Sequence, residues 1–216
     1  MCGIAGGNLF TEDTIQQSLD DTKHRGYDAQ QVFQDDEVFL GHNRLSIQDL
    51  SETANQPFTD TSGRYTIVYN GELWKSMTKY RESLEKKYEF RTTNSDTELL
   101  LYMFIEYGEE VFQLLDGMFS FAIYDKKEQK IWMGRDWIGR LPFYYYHRDG
   151  KLAFSSERKG LTKSLKTINK NIKVVLPSHY YCFNMKHKHI DKVKYYNIPD
   201  RIVEEPKDRI VKNIRE

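Results

Sequence analysis

Length, composition and charge balance narrow the class of protein. The chain has 216 residues, 39% of them hydrophobic, which is enough to bury the core of one large domain. Its 32 Lys and Arg residues balance its 32 Asp and Glu residues, which argues against bulk electrostatic binding of nucleic acid or of an anionic membrane. No apolar run approaches the roughly 18 residues of a membrane-spanning helix, and we expect no leader sequence. Two cysteines cannot form a disulfide framework, so we expect a cytoplasmic protein.

Predicted strands and helices occur in blocks along the chain. The predicted strands cover 1–10, two segments within 32–45, 64–69, 118–124, 130–135, 141–146, 152–155 and three segments within 172–196. The predicted helices cover 11–23, 77–87 and 95–107. Antiparallel runs of strands, with helices inserted in two blocks rather than after every strand, indicate an α+β layered domain and not a doubly wound sheet.

The last residues have the pattern of a helix start. Acidic residues and Pro206 stand where a first helical turn favours them, and an apolar stripe of Ile210, Val211 and Ile214 follows. A helix of about two turns is marginal in isolation, so we expect this segment to need packing against another element.

The position of Cys2 points to chemistry, although its residue type alone does not. A lone cysteine is most often a small buried hydrophobic residue. If Met1 is removed, however, Cys2 carries a thiol and a free α-amine, whose reference pKa values of about 8.5 and about 7.7–8.0 both lie near neutrality. Such an amine can act as the base for its own side-chain nucleophile. Both interpretations are compatible with this residue alone.

Three further motifs also have ordinary structural interpretations. Asn70-Gly71 after a β-rich run is typical of a hairpin turn. Ser95 and Glu98 have the spacing of a helix capping box, while Asp96 between them could project its carboxylate into a pocket. Arg44, similarly, could be a surface charge beside a strand. None of these patterns by itself decides between a structural and a functional role.

Short motifs in a fixed order extend over nearly the whole chain. They are Cys2–Gly6, His24–Asp28, Gly41–Ile47, Tyr69–Leu73, Ser95–Glu98, Leu115–Phe119, Arg135–Tyr145, Phe154–Glu157 and Leu176–Tyr180. This series resembles the class II glutamine amidotransferases, whose nucleophile is an N-terminal cysteine, and within that class it looks most like the glutaminase domain of asparagine synthetases. The resemblance implies a four-layer αββα sandwich of the N-terminal-nucleophile hydrolase type, built mainly from antiparallel sheets.

The resemblance also implies a role for each matching residue. Cys2 is the implied nucleophile, and Asn70 with Gly71 forms the implied oxyanion hole. The residues implied to bind L-glutamine are Arg44, Leu45, Ser46, Ile47, Gln48, Asn70, Gly71, Glu72 and Asp96. Among them, Arg44 would grip the α-carboxylate, where a planar guanidinium suits two oxygens, and Asp96 with Glu72 would hold the α-ammonium group. No metal or organic cofactor is implied for this domain.

Some residues depart from the family pattern or fall outside it. Tyr27 stands where the family commonly has proline, in a loop that would cover the bound glutamine. Asn43 and Arg140 replace other residue types and are interpreted as changes at the surface or at an interface. His187 and His189 lack a third ligand at metal-site spacing and are assigned to a solvated edge strand, and Cys182 is assigned to the core.

The sequence therefore predicts hydrolysis of the glutamine side-chain amide to glutamate and ammonia. Residues 1–200 are predicted to form the glutaminase domain, and 201–216 to begin a linker or helix toward an ATP-dependent synthetase domain or subunit, where ATP and Mg²⁺ are expected. Two alternatives stay open. One is a weakly catalytic or non-catalytic glutamine-binding or regulatory module. The other is a glutaminase that serves amidation of another carboxylate, such as a deazapurine acid or a lactam precursor. A homodimer is also compatible with the sequence.

Overall fold

The computed structural model describes residues 1–74 and 77–197, together with Pro206 and Arg209. The strands are β1 Gly3–Gly7, β2 Ala29–Gln34, β3 Phe39–Arg44, β4 Phe58–Thr59, β5 Tyr65–Leu73, β6 Gly117–Asp125, β7 Lys130–Arg135, β8 Tyr144–Arg148, β9 Lys151–Ser155, β10 Lys173–Val174, β11 His179–Asn184 and β12 His189–Lys194. The α-helices are α1 Glu12–Asp21, α2 Thr78–Leu84, α3 Asp96–Tyr107, α4 Val111–Leu114 and α5 Arg158–Thr162. Most of the predicted C-terminal helix, and with it the stripe of Ile210, Val211 and Ile214, lies outside the described residues.

The described strands form two antiparallel sheets of six strands each. The first sheet has the order β10-β8-β9-β1-β3-β2, and the second has the order β12-β11-β7-β6-β5-β4. Helices α1 and α5 pack on the first sheet, and α3, with α2 beside it, packs on the second. The predicted α+β class and the αββα layering are therefore confirmed.

Three apolar layers follow from the alternation of side chains along each strand. Ile4 of β1 and Val68 of β5 point between the two sheets, where they meet a buried cluster that includes Phe183. Their neighbours face outward: Ala5 packs under α1 and α5, and Tyr69 packs under α3. Consecutive residues of β1 and of β5 therefore pack in different layers. Because Ile4 and Val68 share the layer between the sheets, the start of the chain lies beside the middle of β5.

Two of the ordinary structural interpretations do not hold, because tertiary contacts use these residues in another way. Asn70-Gly71 does not form a turn, since β5 continues to Leu73 and remains paired with β6 through both residues. Ser95 does precede α3, but its side chain makes no capping hydrogen bond. Glu98 is buried and instead accepts hydrogen bonds from the backbone N–H groups of Arg91 and Thr92, both at 2.8 Å, so no capping box forms.

None of the helices in the described part of the chain is long and apolar enough to cross a membrane.

Candidate active site

A concave pocket, with about 640 Å³ of empty space including its open mouth, lies where the start of β1 and the end of β3 approach β5 and the start of α3. Its walls include nine of the ten predicted site residues, namely Cys2, Arg44, Leu45, Ile47, Gln48, Asn70, Gly71, Glu72 and Asp96. Ser46 is not part of the wall, and its backbone N–H donates to Asp28 Oδ2 at 2.6 Å. The fold therefore brings residues from distant parts of the sequence to one concave site, as expected for a small-molecule pocket.

The Cys2 thiol lies in the wall of this cavity against the backbone of Leu45. Leu45 N–H donates to Cys2 Sγ at 3.4 Å, and the thiol lies 3.6 Å from the Leu45 carbonyl oxygen. Burial raises the pKa of the Cys2 thiol above its usual value, although the Leu45 contact, the N-terminal charge and Arg44 act in the opposite direction. The thiol is therefore protonated near neutral pH, so nucleophilic attack by Cys2 requires a base.

Asn70 and Gly71 meet the cavity from within strand β5. Asn70 is 1% exposed, and its Nδ2 group is buried without a hydrogen-bond partner among the described residues. An unpaired buried amide donor is costly, and because this one belongs to a residue of the cavity wall, it is available to a bound ligand. A side chain on Gly71 would come within 2.4 Å of the Met118 carbonyl oxygen and 2.7 Å of the Tyr69 ring, so only glycine fits there.

Arg44 is the last residue of strand β3 and is 7% exposed. Its Nη1 donates to the Ser51 carbonyl oxygen at 2.8 Å and to Asn55 Oδ1 at 2.6 Å, and its Nη2 donates to the Asp49 carbonyl oxygen. These three bonds orient the planar group while using only part of its five N–H donors. They hold a positive charge in the cavity wall.

Acidic and hydroxyl groups form a second cluster in the lining of the cavity. Asp96, the first residue of α3, accepts hydrogen bonds at Oδ2 from the Tyr69 hydroxyl at 3.0 Å and from Leu73 N–H at 3.2 Å. Burial raises the pKa of Asp96 to about 6, despite these bonds and those from the helix N-terminus. Glu72 accepts a hydrogen bond from Gln48 Nε2 at 3.3 Å. The cavity lining thus contains a group suited to an anion and groups suited to a cation, together with a thiol and an amide donor that has no partner among the described residues.

Comparisons with known proteins agree with this geometry. A family model described as glutamine amidotransferase domain matches residues 1–200. The chain belongs to the glutamine amidotransferase domain family. It is 35% identical over 169 residues to a glutamine-hydrolyzing asparagine synthetase 3 of Bacillus subtilis, covering 74% of this chain and 27% of that protein. It is 33% identical over 175 residues to the Escherichia coli asparagine synthetase B, covering 78% of this chain and 31% of that protein.

A solved structure gives the same result for the fold. The glutamine phosphoribosylpyrophosphate amidotransferase of B. subtilis superposes with a TM-score of 0.70 at 18% identity, over 90% of this chain and 49% of that one. The expected membership of the glutamine amidotransferase family, and the expected similarity to glutamine-hydrolyzing asparagine synthetases, are confirmed. The chain spans about a quarter to a third of the length of these two asparagine synthetases.

Two motifs of this amidotransferase domain hold the backbone at Cys2, a role that sequence reasoning missed. Arg25 Nε donates to the Cys2 carbonyl oxygen at 2.9 Å, and Arg25 Nη1 forms an ion pair with Glu157 at 3.1 Å. Ile4 and Ser156 exchange hydrogen bonds, with Ile4 N–H donating to Ser156 Oγ at 2.9 Å and Ser156 N–H donating to the Ile4 carbonyl oxygen at 2.8 Å. The only signal in the sequence was that these residues lie in the matching blocks 24–28 and 154–157.

The cavity residues without a predicted role include Tyr69 and His42. Tyr69 is 2% exposed, and in the sequence it is only part of the matching block 69–73. His42 is 1% exposed, and burial lowers its pKa to about 3, so its imidazole is neutral. Neither residue stands out by composition, since a histidine or tyrosine in a strand is usually part of the core.

Of the three departures from the family pattern, one was misinterpreted. Asn43 is not at the surface or at an interface: it is fully buried, and its Nδ2 donates to the Leu19 carbonyl oxygen at 2.8 Å and to Thr22 Oγ1 at 3.1 Å, which ties the end of α1 to β3. Tyr27 is 67% exposed. Arg140 is exposed, and its guanidinium lies 5.7 Å from the centre of the Trp74 ring.

No metal site was predicted, and the described residues contain no group of three or more His, Cys, Asp or Glu that could hold a metal ion.

Cys182 is 6% exposed in the core between the second sheet and α3, and burial raises its pKa to about 12. Its assignment to the core is confirmed, and a thiol in that environment is unreactive.

Proposed function

We propose that this domain hydrolyses the side-chain amide of L-glutamine to glutamate and ammonia, with Cys2 as the nucleophile after removal of Met1. The observation that carries the proposal is the convergence of the Cys2 thiol, the unpaired Asn70 amide, the Arg44 guanidinium and the Asp96 carboxylate on one cavity. An amino acid with a side-chain amide has a matching group for each of these four. Family membership of residues 1–200 supports the same substrate class.

A protonated thiol needs a base, and the α-amine that Cys2 would carry after removal of Met1 belongs to the same residue. In the first step the amine takes the thiol proton, directly or through one water, while the sulfur attacks the amide carbon. The amine then returns this proton to the leaving nitrogen, so that ammonia departs and a γ-glutamyl thioester remains. Water, deprotonated by the same amine, hydrolyses the thioester to glutamate and regenerates the thiol.

The other residues take the roles that their charges suit. Asn70 Nδ2 and the Gly71 backbone N–H would donate to the oxyanion, which exists only in the tetrahedral intermediate. Arg44 would bind the α-carboxylate, and Asp96 with Glu72 would bind the α-ammonium group. Leu45, Ile47 and Gln48 would line the pocket. Ser46 would act one step away, since the bond from its backbone to Asp28 holds the strand end that carries Arg44.

The use of the ammonia would depend on a part of the relatives that this chain does not cover. We infer that residues 1–200 form the glutaminase domain, and that 201–216 begin a connection to an ATP-dependent synthetase domain or subunit that would hold ATP and Mg²⁺. An aspartate-like carboxylate is the default acceptor, because the similar proteins include glutamine-hydrolyzing asparagine synthetases. Activity in the cytoplasm is consistent with two free thiols.

A glutaminase assay with matched cysteine variants tests the proposal. Glutamate release from glutamine should be abolished in Cys2→Ala and retained in Cys182→Ala, which removes a thiol of the same type from the core. Intact mass should show that active protein lacks Met1, because the proposed base does not exist while Met1 is attached. Full activity in Cys2→Ala, or in protein that retains Met1, would refute the mechanism. Glutamine binding without hydrolysis in the unmodified protein would instead identify a binding module.

A further inference from the structure

Tyr69 is the least explained polar group of the cavity. Its side chain is 2% exposed, yet it carries a hydroxyl into a mostly apolar cluster between β5 and α3. That hydroxyl donates to Asp96 Oδ2 at 3.0 Å. A buried tyrosine hydroxyl usually forms a hydrogen bond with a nearby acceptor that has no other role. Here the acceptor is the Asp96 carboxylate, which is proposed to bind the α-ammonium group of the substrate.

The backbone of β5 shapes the path from Tyr69 to Asp96. Tyr69 and Gly71 are two residues apart and therefore lie on the same face of the strand. A Cβ on Gly71 would lie 2.7 Å from the Tyr69 ring and 2.8 Å from its hydroxyl oxygen. The Tyr69 ring therefore packs directly against the backbone of Gly71, and its hydroxyl reaches Asp96 at the start of α3. The absence of a side chain at Gly71 thus makes the Tyr69–Asp96 hydrogen bond sterically possible.

The hydroxyl remains a donor over the working pH range. Burial and the neighbouring Asp96 charge raise the pKa of Tyr69 well above its usual value, so the phenol keeps its proton. Asp96 Oδ2 receives a second bond, from Leu73 N–H at 3.2 Å, at the point where β5 ends. Two donors from one strand therefore fix the rotation of a carboxylate that belongs to the first turn of α3.

We propose that Tyr69 is a positioning residue for the substrate's α-ammonium group, because its hydroxyl orients the Asp96 carboxylate toward the cavity. This inference rests on the proposed function in that it takes glutamine as the ligand. A carboxylate in a fixed orientation increases the affinity for a ligand that carries an α-ammonium group and does not increase the affinity for one that lacks it. Tyr69 should therefore set the preference for α-amino acids rather than the chemistry at the amide.

The test compares two ligands that differ only in that group. Glutaramic acid has the carboxylate and the side-chain amide of glutamine but no α-amino group. Affinities for both are measured by calorimetry on the full chain carrying Cys2→Ala, which binds without turnover. Tyr69→Phe should weaken glutamine binding about tenfold, as expected for the loss of a hydrogen bond to a charged group, and leave glutaramic acid binding unchanged.

A matched variant and a double mutant separate this role from general packing. Tyr102→Phe removes another buried tyrosine hydroxyl from the same cluster, one that donates to the Glu89 carbonyl oxygen at 3.2 Å, and should not alter the ratio of the two affinities. In an Asp96→Asn background, Tyr69→Phe should lose its effect on that ratio, since both act through one group.

The outcomes distinguish the inference from the function beneath it. Equal losses for both ligands in Tyr69→Phe, an unchanged ratio, or an effect that persists in Asp96→Asn would overturn the inference and leave the glutaminase proposal intact. If the Cys2→Ala protein bound neither ligand, the proposed glutamine site would be wrong, and the role of Tyr69 would fall with it.

Discussion

Replacing Asn70 with alanine tests the proposed oxyanion hole with little disturbance of the fold. The Asn70 Nδ2 group has no partner among the described residues, so its removal breaks no hydrogen bond of that donor. In the unsubstituted protein the unpaired buried donor costs about 1–3 kcal/mol. The alanine substitution removes this cost, which offsets the loss of packing around the small cavity that it creates. We therefore expect the free energy of unfolding, measured with urea, to change by less than about 1 kcal/mol.

The kinetic effect should be much larger than the effect on stability. Loss of one oxyanion donor typically lowers kcat by roughly a hundred- to a thousandfold, equivalent to about 2.7–4 kcal/mol. The oxyanion exists only in the tetrahedral intermediate and the transition states around it, so KM for glutamine should stay nearly constant. Initial rates of glutamate release, followed with a coupled dehydrogenase over a range of glutamine concentrations, give both constants.

Ser120 provides the control for this experiment. It lies directly opposite Asn70 on β6, and its hydroxyl is also buried without a partner among the described residues. Ser120→Ala removes a polar group of the same strand pair that does not line the cavity, so it should leave kcat unchanged. A rise in KM alone for Asn70→Ala, or an equal fall in kcat for Ser120→Ala, would refute the oxyanion assignment.

Three further predictions follow from buried groups. Asp96 must be ionised to bind an ammonium group, and its pKa is raised to about 6. The Kd of glutamine for the Cys2→Ala protein should therefore rise as the pH falls through about 6 and stay constant above it. A constant Kd from about pH 5 to 8 would contradict this prediction. Arg25→Lys keeps the charge but cannot bridge the Cys2 carbonyl and Glu157, so kcat should fall by up to about a hundredfold with KM unchanged, and a change in KM alone would argue against an anchoring role. Glu98→Ala leaves the N–H donors of the preceding loop unpaired, so the free energy of unfolding should drop by about 3 kcal/mol in urea titrations, whereas a loss below about 1 kcal/mol would restore the simple capping interpretation.

The sequence by itself determined the fold class and most of the elements, because these depend on local alternation. β7 runs over Lys130–Arg135, as predicted, and β6 differs from its prediction by one residue at each end. In such strands every second residue faces a packed layer, and that pattern is visible without knowing what forms the layer. The ordered motifs likewise identified the family, since their order and spacing are properties of the chain alone.

Only the tertiary structure decided how individual polar groups are used. Asn70-Gly71 has the composition of a turn, but β6 pairs with both residues and keeps them in a strand. Ser95 and Glu98 have the spacing of a capping box, but backbone donors of the preceding loop occupy the Glu98 carboxylate. Asn43 has a residue type that is common at the surface, but it is buried because its side chain donates to the Leu19 carbonyl oxygen near the end of α1.

The same distinction explains why Arg25 and Tyr69 were missed while Cys2 and Asp96 were found. Arg25 meets the Cys2 carbonyl oxygen across 23 positions of the chain, and Tyr69 meets Asp96 across 27. A hydrogen bond over that separation has no periodicity and no local spacing from which to infer it. It exists because the packing of two sheets and a helix brings these donors next to their acceptors, and packing is a property of the folded molecule rather than of any segment of its sequence.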